Sequence, residues 1–205
     1  MNTVELQFNQ AEFYKSAFKQ ADLPPDHNIE IAFAGRSNVG KSSVINLLTQ
    51  QKKLAKTSKT PGRTQSINYF KLHEPIYLVD LPGYGYAKVA QQTKAHWQVF
   101  LKNYILKRQS LKGVILIMDC RHPFTTLDQQ FFSLTNLVNC PCHILLNKAD
   151  KLSNNERNKI QAQQVMPFLL KQPLGSWQFF SALRGEGLEE LKEKFREWTQ
   201  GAEGM

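Results

Sequence analysis

Eight consecutive residues, Gly35-Arg36-Ser37-Asn38-Val39-Gly40-Lys41-Ser42, have types and spacing suited to holding phosphate. Two glycines let the backbone fold around an anion so that successive N–H groups point inward. A helix beginning at the end of the stretch adds the partial positive charge of its N-terminus. Lys41 can reach the outer phosphates of a nucleoside triphosphate, and the Ser42 hydroxyl can ligate magnesium. The context agrees, because the apolar run 29–34 reads as a buried strand leading in and Ser43 to Leu48 as a helix leading out.

Further groups of residues complete the chemistry. Asp80-Leu81-Pro82-Gly83 closes the apolar run 75–80, where a carboxylate can hold magnesium, through water, and the Gly83 N–H can approach a γ-phosphate unobstructed. Asn147-Lys148-Ala149-Asp150 closes the run 142–146. A carboxylate there accepts two hydrogen bonds from the ring N–H and exocyclic amine of guanine, a donor pair adenine lacks. The bland reading of Asp150 is a helix N-cap. Ser181-Ala182-Leu183, after the last apolar run, can offer backbone N–H groups to the guanine oxygen. In the polar stretch 50–66, Thr64 can ligate magnesium once a γ-phosphate is bound, so that the loop responds to the state of the nucleotide. Thr57 and Thr60 are its rivals, and Thr64 is preferred for its place just before the run 67–72.

The elements that must carry these groups follow from periodicity. Runs at 29–34, 67–72, 75–80, 113–119, 142–146 and 176–180 read as six strands, of which 67–72 and 75–80 form an antiparallel pair. Helical spacing recurs over 92–109, 127–138, within 154–170, and at Leu188, Leu191, Phe195 and Trp198. The alternation predicts an α/β fold of the P-loop NTPase type, a mostly parallel sheet with one antiparallel strand and helices on both faces. Residues 1–28 read as a lead in which Phe8, Ala11, Tyr14, Ala17 and Phe18 mark one face of a short helix, stopped by Pro24-Pro25. Residues 29–205 form the nucleotide-binding domain, with no repeat or linker.

Composition bounds the partners. Lys+Arg of 26 against Asp+Glu of 17 gives a net charge of +9, which favours nucleic acid or another anionic surface. Cys120, Cys140 and Cys142 lack metal-site spacing and read as small buried hydrophobes in a reducing compartment. His96, His122 and His143 likewise have no metal spacing. There is no secretory leader pattern and no apolar run of ~18 residues, so a cytoplasmic location without membrane contact is expected.

In this order, the motifs resemble the GTPase group that includes the TrmE, Era, EngA and EngB families. The strings from Ala34 to Ser43, Pro61-Gly62-Arg63-Thr64-Gln65, Asp80 to Ala87 and Asp119-Cys120-Arg121-His122-Pro123 are similar to those of the compact EngB (YihA/YsxC) family. The resemblance implies GTP and GDP as ligands, magnesium, slow hydrolysis and a role in assembling the large ribosomal subunit, extending to cell division, in a monomer. It implies nucleotide contacts from Gly35 to Ser43, from Gly62, Arg63, Thr64, Gln65 and Ser66, from Asp80 to Gly83, from Asn147 to Asp150, and from Phe180, Ser181 and Ala182. Catalysis falls to Lys41, Thr64 and Gly83. Many relatives carry a glutamine after the D-x-x-G glycine to orient the attacking water. Here Tyr84 stands in its place, so slow intrinsic turnover is expected. An asparagine at the place of Asn38 helps bind potassium in some related GTPases, which makes potassium a further expected ion, beside the reading that Asn38 only shapes the loop. Arg63 can act as an internal finger or touch RNA. Lys52, Lys53, Lys56, Lys59, Arg63 and Lys88 are the expected contacts to ribosomal RNA.

Overall fold

The computed structural model describes residues 6–56, 66–85, 91–170 and 175–200, with the backbone alone for 91–98. Gly62, Arg63, Thr64 and Gln65, the rival Thr57 and Thr60, and Lys59 and Lys88 lie outside the described residues.

Seven strands form one sheet: β1 (Glu12–Ala17), β2 (Ile29–Gly35), β3 (Ile67–His73), β4 (Ile76–Asp80), β5 (Leu111–Asp119), β6 (Cys142–Asn147) and β7 (Gly175–Phe179), in the order β1-β3-β4-β2-β5-β6-β7. The pairs from β4 through β7 are parallel, whereas β3 is antiparallel to both β4 and β1. One strand therefore runs against the other six. The helices are α1 (Lys41–Leu48), α2 (Gln91–Lys107), α3 (Thr126–Leu137), α4 (Asn154–Ile160), α5 (Met166–Leu169) and α6 (Leu188–Thr199), with a π turn over Gln161–Val165 joining α4 to α5.

Strand β2 is buried along its whole length, as the continuous apolar run of a central parallel strand requires. Its alternate residues serve two cores. Ile31 and Phe33 meet Val44 and Leu48 of α1 and Phe195 of α6 on one face, while Ala32 and Ala34 belong with Tyr104 of α2 and Phe132 of α3 on the other. The C-terminal end of β2 thus opens between helices on opposite faces, the place where sheets of this kind take their ligands.

The sheet exceeds the expected six strands because the N-terminal lead is not a helix. Phe8–Gln10 form a short 3-10 turn, and Glu12–Ala17 pair with β3 as an edge strand. The spacing of Phe8, Ala11, Tyr14 and Ala17 fits a helical face, yet Tyr14 is exposed while Phe8, Ala11 and Ala17 are buried. Without β1, the outer edge of β3 would leave a row of backbone groups unpaired by the sheet.

A buried charge pair fixes the opposite end of β2. Glu30, fully buried, accepts from Arg108 Nε at 3.1 Å and from the Tyr104 hydroxyl at 2.7 Å. Arg108 also donates to the Pro25 carbonyl at 3.2 Å, and the Asp26 carboxylate receives the Ser110 N–H at 2.8 Å. The segment 25–30 is thereby tied to the end of α2 and the start of β5.

Candidate nucleotide-binding site

Backbone conformation builds the phosphate loop first. Gly35 has no room for a side chain, since a Cβ would lie 2.6 Å from the Ile117 carbonyl oxygen and 2.9 Å from the Val39 side chain. Gly40 caps α1 with φ +99°, and a Cβ on it would run into the Asn147 carboxamide. Asn38 also lies in the left-handed region, at φ 66°, where asparagine is tolerated. These turns wrap residues 35–40 in front of the first turn of α1, whose N–H groups have no partner within the helix. Lys41 and Asp80 form an ion pair across the loop, with side chains only 11% and 8% exposed. Asp80 ends β4 beside Phe33 of β2, and the Ser42 hydroxyl donates to the Lys56 carbonyl at 3.2 Å. Ser42 offers a hydroxyl and Asp80 a carboxylate, hard-oxygen donors of the kind magnesium takes.

The segment after Asp80 lies against the same loop. Leu81 N–H donates to the Phe33 carbonyl at 3.0 Å, and a Cβ on Gly83 would come within 3.1 Å of the Ser37 hydroxyl. Tyr84 N–H donates to the Gly35 carbonyl and Ser37 N–H to the Tyr84 carbonyl, both at 3.3 Å. The Tyr84 side chain points away to α3, where its hydroxyl donates to Asp128 at 2.9 Å and its ring stacks on Phe131 at 5.3 Å. Burial and the Asp128 charge push this phenol well above its ordinary range, so it stays protonated. Asp128 also accepts the Thr125 N–H at 3.0 Å at the start of α3 and faces Arg36 Nε at 3.4 Å.

Asn147 and Lys148, from the stretch expected to read the base, are bound to the phosphate loop by their side chains. Asn147 donates through Nδ2 to the Val39 carbonyl at 2.8 Å and accepts the Ala182 N–H at 3.2 Å. Lys148, at φ 68°, sends its ammonium to the Asn38 carbonyl at 2.8 Å and to Asp119 at 2.9 Å. Arg121 grips Asp119 with two bonds of 2.9 and 2.6 Å, and these, with Lys148, hold that carboxyl well below the usual carboxylate range. Asp150 sits in the 3-10 turn Ala149–Lys151 with its side chain 4% exposed. It accepts the Ser181 hydroxyl at 2.6 Å, which lowers its pKa and keeps it ionised. It caps no helix, because Ser153 caps α4.

Phe180 and Ser181 complete this wall. The Phe180 carbonyl receives the Ala149 N–H at 3.0 Å, and Ser181 bridges to Glu186, closing the loop 182–185. Arg157 pairs with Glu186 and donates to the Ala149 carbonyl at 2.7 Å, joining the two loops.

Among the described residues, the fold therefore brings the stretches 35–43, 80–83, 147–150 and 180–182 together at one end of the sheet. Asp119, Arg121, Asp128, Arg157 and Glu186 were not foreseen as parts of the site. The string Asp119-Cys120-Arg121 carried a signal, since an acid and a base two residues apart at a strand end can clasp each other. Glu186 carried none.

Residues 30–148 match a family model described as "50S ribosome-binding GTPase". The "Probable GTP-binding protein EngB" of Thiobacillus denitrificans is 50% identical over 190 residues, 93% of this chain and 91% of that protein. Its counterpart in Pasteurella multocida is 47% identical over 201 residues, 97% of each. A crystal structure of a probable GTP-binding protein EngB superposes with a TM-score of 0.65 at 23% identity, over 84% of this chain and 99% of that one, and shows the same fold. With the glycine-built loop and sheet order in agreement with relatives 47–50% identical over nearly the whole chain, the chain belongs to the EngB family of GTPases.

Proposed function

We propose that this chain is a GTP-driven switch with slow intrinsic hydrolysis that acts in the assembly of the large ribosomal subunit, with consequences for cell division. The observation that carries the nucleotide half is the bracing of the loop 35–42 by Asn147 and Lys148, with Asp150 buried and ionised on the same elements. Phosphates take the backbone N–H groups of the loop and the N-terminus of α1, and Lys41 exchanges its bond to Asp80 for the outer phosphates. Asp150 reads the guanine edge. Ser42, Thr64 and, through water, Asp80 hold magnesium, which when bound neutralises phosphate charge. Gly83 approaches the γ-phosphate with its N–H, so that the segments around Thr64 and Gly83 report on its presence.

Turnover is slow because Tyr84 is committed elsewhere. Its hydroxyl is bonded to Asp128 and its ring stacked on Phe131, so it does not orient a water as glutamine does. A single-turnover rate matching a fast hydrolase would contradict this.

The ribosomal half is supported by the description of the matching family, by the charge of +9, and by exposed Lys52, Lys53 and Lys56 beside Asp80 and Ser66. Co-sedimentation with large subunits and their precursors, with GTP analogue, GDP or no nucleotide, tests it. Binding that is stronger with the analogue and falls steeply with salt is expected. Equal recovery in all nucleotide states would remove the switch from the reading.

A further inference from the structure

The sheet edge opposite β7 has features that nucleotide binding does not use. Three aromatic side chains stand out within six residues of β1 and its end: Phe13 is 58% exposed, Tyr14 47% and Phe18 60%. Lysines are interleaved with them at Lys15 and Lys19, against one acid in the strand, Glu12. Phe13 meets the buried Phe70 of β3 edge to face at 6.1 Å, and both residues line a cavity of about 840 Å³. The exposed Lys52 and Lys53 give the same cavity a basic rim, and it extends to Asp80, the partner of Lys41. Gln51 holds that rim against the N-terminal lead, donating to the Ala11 carbonyl at 2.7 Å and the Asn9 carbonyl at 3.0 Å.

We propose that this edge is a docking surface for unpaired RNA nucleotides, with the exposed Phe13 ring, seated on the buried Phe70, stacking a base and Lys52 and Lys53 holding the flanking phosphates. Rings beside a lysine rim are how proteins bind single strands, because every base has a π-face and every linkage a negative charge. Charge complementarity selects RNA over an apolar peptide. A peptide strand adding to β1 is disfavoured, because the pairing register of β1 shifts between Phe13 and Lys15 and breaks an even ladder. The proposal rests on the ribosomal reading only for the identity of the RNA. It adds that contact is made by stacking at the sheet edge, and that the cavity links this contact to Asp80.

The test is fluorescence anisotropy of a labelled oligouridylate with the full chain, at several salt concentrations. Phe13→Ala should weaken binding about 5- to 100-fold with an unchanged salt slope, and Phe13→Trp should restore it. Lys52→Ala with Lys53→Ala should make the log–log salt slope shallower by about 1.4. GDP affinity of Phe13→Ala should equal that of the parent, which shows the variant folded. A parent that binds no single strand, or a Phe13→Ala variant that binds as well as the parent, overturns the proposal. Sedimentation with large subunits is scored separately. A parent and Phe13→Ala variant that co-sediment equally well sink the edge and keep the ribosomal reading. Ring-dependent oligouridylate binding by a parent that ignores subunits supports the edge and sinks that reading.

Discussion

Replacing Asp150 by Asn isolates base recognition from everything else in the site. The buried carboxylate already accepts the Ser181 hydroxyl on Oδ1 at 2.6 Å, and Lys151 lies 3.3 Å from Oδ2. Two oxygens with about four lone-pair sites leave capacity for the two donors on the guanine edge. Asparagine keeps the shape and one oxygen for Ser181, and the Lys151 partner it loses is 55% exposed and worth under about 1 kcal/mol. What changes under the proposed role is the pair of charge-assisted bonds to the base, each worth about 1.5–3 kcal/mol. The expected loss of GDP affinity is therefore about 3–6 kcal/mol, roughly 10²- to 10⁴-fold. The new NH₂ group donates to a carbonyl, so xanthosine diphosphate, with an oxygen in place of the guanine amine, should bind the variant better than GDP. Displacement of a fluorescent GDP from parent and variant measures both. A loss under tenfold, or no gain for xanthosine diphosphate, would refute the role given to Asp150.

Asp119→Ala removes the acid that clasps Lys148, and GDP affinity should fall about tenfold while the melting temperature moves by only a few degrees; unchanged affinity would make the clasp irrelevant to binding. Arg108→Met leaves the Glu30 carboxylate buried without its cation and should cost about 3–5 kcal/mol in urea unfolding, and a loss under about 1 kcal/mol would refute the role of that pair. His143 is buried between Ser176 and Gln178, and burial depresses its pKa from the ordinary 6.5 to about 4. The unfolded chain binds the proton more readily between these values. Stability from this group is complete above pH 6.5 and lost as pH falls towards 4, by about 3 kcal/mol. Denaturant midpoints of parent and His143→Gln across that window should converge at low pH, and parallel curves would exclude it.

The phosphate-loop turn, the D-x-x-G turn against it and the place of Asp150 at a strand end were legible because each depends on residue type at fixed local spacing. Gly40 needs its left-handed φ and Gly35 its close approach to Val39, reasons that act within a few residues, and a motif records such reasons, although Ile117 of β5 and Asn147 of β6 add to them from afar. The guanine wall was legible only in part. Asn147 bonds Val39 across 108 residues of sequence and Lys148 reaches Asn38 across 110, so the motif names the residues but not their bracing role. Arg157 and Glu186 belong to no motif at all. Their value arises from two loops meeting in space, and either residue alone reads as a surface charge. The edge strand failed for a different reason. A burial pattern of Phe8, Ala11 and Ala17 satisfies helical spacing by accident, and only the unpaired side of β3 decides in favour of a strand.

The braces from Asn147 and Lys148 end on backbone carbonyls of Val39 and Asn38, which any residue would supply. The evolutionary burden is therefore lopsided. Position 38 can drift as far as its left-handed backbone allows and position 39 as far as its buried packing allows, whereas a change at 147 or 148 removes a brace on the phosphate loop itself. Substitutions at the two ends of the site should be epistatic rather than additive. A descendant turning from guanine to another base could not alter Asn147 and Lys148 gradually, because each intermediate would hold its triphosphate less well.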